Sequence, residues 1–309
     1  MKKEVRTVCF DEFLEIETVR FEGISQPFPN HFHDYYVIGL VLRGTRELLC
    51  KNRSRIISGG DVLLLEPADS HGCADVGESA FDYVSLNISE SVMRRLAEEI
   101  TNENAPPLFS ENVVKCHGTA ELIEKLHRLI FDEAAELERE ETLLLLMSNI
   151  LENYGTPFLR TVAPPSREAA EVARVCEFID AHYAERLRLD ELCRAAHMSK
   201  STLLRSFVKV RGITPYRYLQ SVRINRAKEL LEQGEQPVDA AMLTGFADQS
   251  HFSNAFHTFF GISPAAFCSQ RRVGCSDAAS VTSVSPAAYG KIFDDHGGDK
   301  LERKVCDDN

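Results

Sequence analysis

Several features that whole classes of function require are missing from this chain. No apolar run approaches the roughly 18–20 residues of a membrane span; the longest, Leu143 to Met147, is flanked by Glu140, Glu141 and Asn149. No apolar segment follows Met1-Lys2-Lys3-Glu4, so no secretory signal is expected and a cytoplasmic location is. The nine cysteines are scattered from Cys9 to Cys306, with no Cys-x-x-Cys pair. That usage fits a reducing compartment, where cysteines serve as small hydrophobes, and no disulfide framework is expected. No P-loop, Gly-x-Gly-x-x-Gly or Ser-His-Asp order is present, so the usual sequence signatures of phosphate cradles, dinucleotide sites and hydrolytic triads are absent. No catalytic residue and no cofactor are assigned.

Positive charge is also scarce, with a net charge of −12 over 309 residues. Its distribution matters more than its sum. Residues 1–166 carry 16 Lys/Arg against 28 Asp/Glu, whereas residues 193–272 carry 11 against 5. An acidic first part would repel a phosphate backbone and the basic stretch would seek it. At 44% hydrophobic and 27% charged, the chain has apolar material for two cores.

From about Phe21 to Ser89 the sequence reads as short strands: Phe32–Leu42, Glu47–Lys51, Arg53–Ile57, Asp61–Leu65 and Phe81–Ile88. Turn residues such as Lys51-Asn52 and Ser58-Gly59-Gly60 punctuate them, which predicts an antiparallel sandwich or barrel. The period then changes. Helices are expected over Ser91–Ile100, Thr119–Leu137 and Glu140–Tyr154, the last two as a hairpin. Thr156 to Ser166, with Pro157, Pro164 and Pro165, reads as a linker. Arg167 to Gln270 reads as wholly helical, and the small and polar residues from about Val273 as a disordered tail. The expected domains are therefore 1–155, a linker 156–166, 167–270, and a tail 271–309.

The helical part aligns with itself at an offset of 49 residues. Leu189 falls on Val238, Leu203 on Phe252, Phe207 on Phe256, Gly212 on Gly261, Ile213 on Ile262 and Pro215 on Pro264. Two copies of one unit are expected. In the first, Leu189–Ala196 is a helix, His197-Met198 a turn, Ser199 an N-cap, and Lys200–Val210 a second helix closed by Gly212. In the second, Gly245-Phe246 turns the chain, Asp248 caps, and Gln249–Phe260 precedes Gly261. The inward faces read as Leu203, Phe207 and Val210 against Phe252, Phe256 and Phe259. Between the copies a helix of about 18 residues, roughly 27 Å, runs from Pro215 towards Gly234. That is near the ~34 Å of one DNA turn. Arg223 and Arg226 are expected to brace the two units or touch phosphate, and His257 to lie solvated or towards phosphate.

The runs MSKSTLLRSFVKVRGITPYRYLQSVRINRAKELL and GFADQSHFSNAFHTFFGISPAAF resemble the DNA-binding domain of the AraC/XylS family, over about 100 residues. The resemblance implies a C-terminal double helix-turn-helix that reads adjacent major-groove segments of double-stranded DNA. By position, the family's contacts fall on Ser201, Leu204 and Arg205 in the first reading helix and on Gln249, Ser250, His251 and Asn254 in the second. Arg205 suits guanine, Gln249 or Asn254 suits adenine, and Leu204 departs from the usual polar residue and suits a thymine methyl or simple packing.

PFPNHFHDYYVIGLVLRG and SGGDVLLLEPADSH resemble the cupin-like sensor domain found at the front of such regulators. The implied class is α+β with two domains: an antiparallel cupin-like barrel plus helical hairpin, then an all-α reader. It also implies an effector-responsive activator, a homodimer formed through the hairpin, and RNA polymerase as a partner. His31 and His33 share a strand face at i, i+2. They, with His71, Tyr36 and Tyr83, are the expected effector-binding residues, Tyr35 being the alternative to Tyr36. Hydrogen bonding to an effector, or to the barrel's own backbone, is the favoured role for the histidines. Three imidazoles can also take zinc, iron or nickel, but no Glu follows the His-x-His pair, so no metal is assigned. Two rivals remain: a metal-dependent cupin enzyme fused to a DNA module, and a barrel that senses a partner protein.

Overall fold

The computed structural model describes residues 4–76, 80–156 and 166–272. Nine strands open the chain: β1 (Val5–Asp11), β2 (Ile16–Ile24), β3 (Phe28–His31), β4 (Tyr35–Arg43), β5 (Thr45–Cys50), β6 (Arg53–Ser58), β7 (Val62–Leu65), β8 (His71–Asp75) and β9 (Phe81–Ser89). Helix α1 (Glu90–Thr101), the short strands β10 (Leu108–Phe109) and β11 (Val113–Val114), the helices α2 (His117–Phe131) and α3 (Glu136–Tyr154), and β12 (Gly155–Thr156) complete the first domain. Six strands form one antiparallel sheet in the order β1-β2-β9-β4-β7-β11, and four form a second in the order β3-β8-β5-β6.

Strand alternation sorts the side chains of β4 into two cores. Tyr36, Ile38 and Leu40 point to the helices, packing with Met93, Ile123, Leu126, Leu146 and Ile150. Val37 and Val41 point the other way, joining Leu48, Ile57, Leu63 and Phe81 between the two sheets. The β5–β6 hairpin turns on Lys51 and Asn52, both at positive φ (48° and 61°), the two-residue geometry whose twist matches that of the flanking strands.

Two expectations are corrected. Phe32–Leu42 is not one strand: β3 ends at His31 in the four-stranded sheet and β4 starts at Tyr35 in the six-stranded one. The chain crosses between sheets at Phe32–Asp34, which a continuous apolar reading hides. The first hairpin helix ends at Phe131, not Leu137, because Glu133 adopts a left-handed φ of 49°, and α3 begins at Glu136. Leu143, Leu146 and Met147 are buried in the first core, so most of the apolar run Leu143–Met147 serves this chain's own packing.

The second domain is helical: α4 (Arg167–His182), α5 (Leu189–Ala196), α6 (Lys200–Arg211), α7 (Pro215–Glu232), α8 (Pro237–Leu243), α9 (Gln249–Phe260) and α10 (Pro264–Arg272). Ser166 caps α4 by accepting from the Ala169 amide at 3.1 Å. Most of the expected linker and the tail beyond Arg272 lie outside the described residues.

Candidate DNA interface and effector cavity

Each copy of the repeat ends its first helix in a tight turn and starts its second on a side-chain cap. Ser199 Oγ accepts from the Thr202 amide at 3.3 Å, and Asp248 Oδ1 from the His251 amide at 2.7 Å. Both satisfy otherwise orphaned amides. Gly212 and Gly261 close α6 and α9 in the left-handed region, at φ 73° and 74°. On the solvent side of α6 stand Ser201, Leu204 and Arg205, all exposed; at the start of α9 stand Gln249, Ser250 and His251, also exposed, with Asn254 half-buried one turn on. Arg223 braces the units: it donates to the carbonyls of Tyr183 and Glu185 at 2.7 and 2.8 Å and lies over the Phe246 ring. Arg226 pairs with Glu229 on the surface.

The repeat is broken at its third inward position. Phe259 is buried while its counterpart Val210 is 38% exposed. The cause is docking: the second unit packs against the sheets and the first does not do so at that point. Phe259, Phe260, Ile262 and Phe267 close the space between the two sheets, and a cavity of about 130 Å³ lies beneath them.

Of the five expected effector residues, His31, His33, His71 and Tyr83 line this cavity. Tyr36 does not. Its hydroxyl donates to the Pro107 carbonyl at 2.8 Å and its ring is buried under the helices. Tyr35 takes its place, stacked on His33 at 4.7 Å, because His31, His33 and Tyr35 share one parity along the chain and Tyr36 has the other. Tyr83 lies across Gly39, where any Cβ would come within 2.6 Å of its Cζ; only glycine leaves room for the ring.

The cavity wall is mostly apolar, with two polar regions. In the first, Lys228 Nζ sits 3.2 Å from Glu17 and 2.7 Å from Glu232. Burial alone would pull the ammonium pKa down; the two carboxylates outweigh it and hold it above its usual value. In the second, the ligating nitrogens of His31, His33 and His71 lie within 4.8 Å of one another. Burial drives the His31 pKa down to about 3, the neighbouring His71 adding to the effect. Burial also lowers His33, helped by the other two rings, and lowers His71. All three imidazoles are therefore neutral at pH 7, able to accept or donate hydrogen bonds or to ligate a cation.

The seam around the cavity joins the domains through several specific contacts. Phe32, between the two histidines, turns out of the first domain and into the core of the first helix-turn-helix, 4.9 Å from the Tyr218 ring. Gln270 mimics a strand: it accepts from the Val8 amide at 2.7 Å and donates to the Arg6 carbonyl at 3.2 Å. It thereby covers the edge of β1. Asn30 donates to the Gly212 carbonyl at 3.0 Å. His257, expected to be solvated or near phosphate, is half-buried facing Arg6 and Glu4 of the first domain. Sequence reasoning missed Lys228, Phe260 and Phe267 as cavity residues; each reads locally as helix surface or helix core, and only docking brings them over the sheets.

Residues 13–148 match the family described as an AraC-like ligand binding domain, and residues 192–270 match a helix-turn-helix domain family. An uncharacterised HTH-type transcriptional regulator, YbfI of Bacillus subtilis (strain 168), is 45% identical over 252 residues, covering 81% of this chain and 90% of that one. The HTH-type transcriptional activator RhaR of Pectobacterium atrosepticum is 26% identical, over 80% and 88% of the two chains. Among solved structures, an apo ToxT variant from Vibrio cholerae strain SCE256 shares the two-domain fold, with a TM-score of 0.50 at 16% identity over 87% of this chain and 98% of that one. With its N-terminal ligand-binding domain and its paired helix-turn-helix units, the chain belongs to the AraC/XylS family of DNA-binding transcription regulators.

Proposed function

We propose that the protein is a transcription activator whose grip on DNA responds to a small molecule held in the cavity at the seam. One observation carries this reading: the cavity wall is built by both domains, with Phe259, Phe260, Phe267 and Lys228 on one side and the sheets on the other. A ligand shifts an equilibrium only by its differential affinity for the two states. A molecule touching both walls distinguishes a docked reader from a released one directly. The apolar lining with polar ends suits a small amphipathic compound. Relatives named as activators support the sign of the response, and recruitment of RNA polymerase goes with it. Base reading falls to Ser201, Leu204 and Arg205 and to Gln249, Ser250, His251 and Asn254, whose exposure supports it. Leu137 and Leu145 of α3 are exposed and are the residues on which a homodimer through the hairpin would rest.

The test fills the cavity. Val19 lines it from β2, and Val19→Trp puts an indole into the space. A library of small amphipathic metabolites is screened against the parent by thermal shift and then by reporter output. The expected hit changes output about 5–150-fold, the range of an ordinary coupling energy. Val19→Trp loses both the shift and the response, while effector-free DNA binding stays intact. A hit that acts equally on parent and variant places the effector elsewhere.

A further inference from the structure

We propose that His31, His33 and His71 form a binding site for a divalent transition metal ion of the zinc class, with its open coordination position facing the cavity. This goes beyond the organic effector and does not depend on its identity. The first support is convergence: the rings lie 4.6 to 5.2 Å apart, and the Nε2 atoms of His31 and His33 are 3.1 Å apart. Nitrogens at about 2.0–2.1 Å from a tetrahedral ion stand some 3.3 Å from each other, so His31 and His33 already have the spacing and the whole set, within 4.8 Å, closes by at most about 1.5 Å.

The second support is the hydrogen bonding behind the rings. His31 Nδ1 lies 2.7 Å from the Pro29 carbonyl and His71 Nδ1 2.9 Å from the Asp69 carbonyl. A carbonyl only accepts, so in both rings Nδ1 carries the proton and Nε2 presents a lone pair. This outer hydrogen bond is the one that orients metal-bound histidines. His33 is different. Its Nδ1 is buried without a partner, and the Oδ1 of Asn225 beside it is also buried without one. The Asn225 amide nitrogen points to the Phe32 carbonyl at 3.5 Å. Without a cation, His33 Nε2 must keep a proton to donate to His31, and its bare Nδ1 then has only an acceptor at hand. A bound ion reverses this. Nε2 gives its lone pair to the ion, Nδ1 takes the proton, and Asn225 Oδ1 accepts it. One event satisfies both orphaned atoms.

The donor set chooses the ion. Three imidazoles with no carboxylate among them suit zinc, nickel or copper better than magnesium or calcium. The nearest positive charges are muted: Lys228 is held by Glu17 and Glu232, and Arg217 is spread over the Phe259 ring. The ion would also be felt by the reader, since Phe259 packs edge-on against His31 at 5.2 Å and Phe260 stacks on His33 at 5.7 Å.

The experiment uses the full chain, stripped with a chelator and dialysed. Zinc is titrated in competition with a chromophoric chelator, and cobalt is added separately for its visible absorption. One ion per chain is expected, with cobalt bands of four- or five-coordinate intensity. His71→Ala, at the half-buried end of the cluster, should lose the site. Asn225→Ala should keep it and bind about 10–100-fold more weakly, as removal of an outer hydrogen bond does. His251→Ala, on the exposed reading helix, serves as control and should bind as the parent does. If the parent takes up no more than the His71→Ala chain, or if His251→Ala weakens binding as much, the site is not there. A folded Asn225→Ala chain with parental affinity would overturn the role given to the orphaned pair.

Discussion

His127 lies in the core of the first domain, its Nδ1 2.7 Å from Thr18 Oγ1. Burial drives its pKa from 6.5 down to about 3, with Arg20 adding to the effect. The unfolded chain therefore takes up this proton first as pH falls. The stability contribution is complete above pH 6.5 and is lost progressively between 6.5 and about 3, with about 2 kcal/mol gone by pH 5. His127→Asn should flatten the stability–pH slope over that window by one proton's worth, measured by urea denaturation at pH 7, 6 and 5. An unchanged slope would mean that the ring titrates normally. Arg205 makes a different test. It stands exposed on α6, with only a 3.3 Å contact to the Ser201 carbonyl. Arg205→Ala should cost roughly 1–3 kcal/mol on the true operator and little on random DNA. Equal losses in a salt-matched titration would make it a phosphate contact.

The reading heads were legible in the sequence because their signals are local: a cap, a glycine and a helical period, each fixed within a few residues. The helix starts at Lys200 and Gln249 follow directly from Ser199 and Asp248. The sequence reading opens its strands only near Phe21, so β1 and most of β2 escape it, and the reason is chemical. Arg6, Asp11 and Glu17 are buried in β1 and β2, paired with Glu4, Arg139 and Lys228. Ion pairs inside a strand erase the apolar pattern that would announce it. The error at Tyr36 is one of parity: alternation carries the face of His31 and His33 on to Tyr35 and turns Tyr36 to the other side. The repeat also conceals a shared device. Gly212 and Gly261, equivalent residues, both press on the first domain: a Cβ on Gly212 would come within 2.4 Å of Ser70 Oγ, and one on Gly261 within 3.1 Å of the Phe21 ring. Gly261→Ala should cost about 1 kcal/mol in an isolated reader from backbone strain alone. In the full chain it should cost more, because the domain contact is strained too. Equal penalties in the two contexts, measured by thermal unfolding, would deny the contact any weight.

At the scale of the molecule, the sensor and reader share cores: Val8, Val19, Phe21 and Ile24 pack with Phe252, Phe256 and Phe267, and Phe32 completes the core of the first unit. Phe32→Ala empties part of that core, and the usual cost of such a truncation is about 3–5 kcal/mol. The expected result is a reader that melts apart from the sensor, seen as two calorimetric transitions where the parent shows one. A single, merely lowered transition would show that Phe32 is core filling and not a tie. The fragment Arg167–Gln270 should protect two major-groove segments about 10 bp apart; a footprint of one segment would reject the two-headed reading.

The two ends of α9 have different masters. Its twelve residues make a rod of about 18 Å. Gln249, Ser250 and His251 stand in solvent at one end, while Phe259 and Phe260 are gripped over the cavity at the other. A rod pivoted at its middle by about 10° swings each tip by about 1.5 Å, more than the whole spread of good hydrogen-bond lengths. If these exposed residues read bases as proposed, the sensor would spoil their fit without unfolding or covering any of them, simply by setting the angle at which the far end is held.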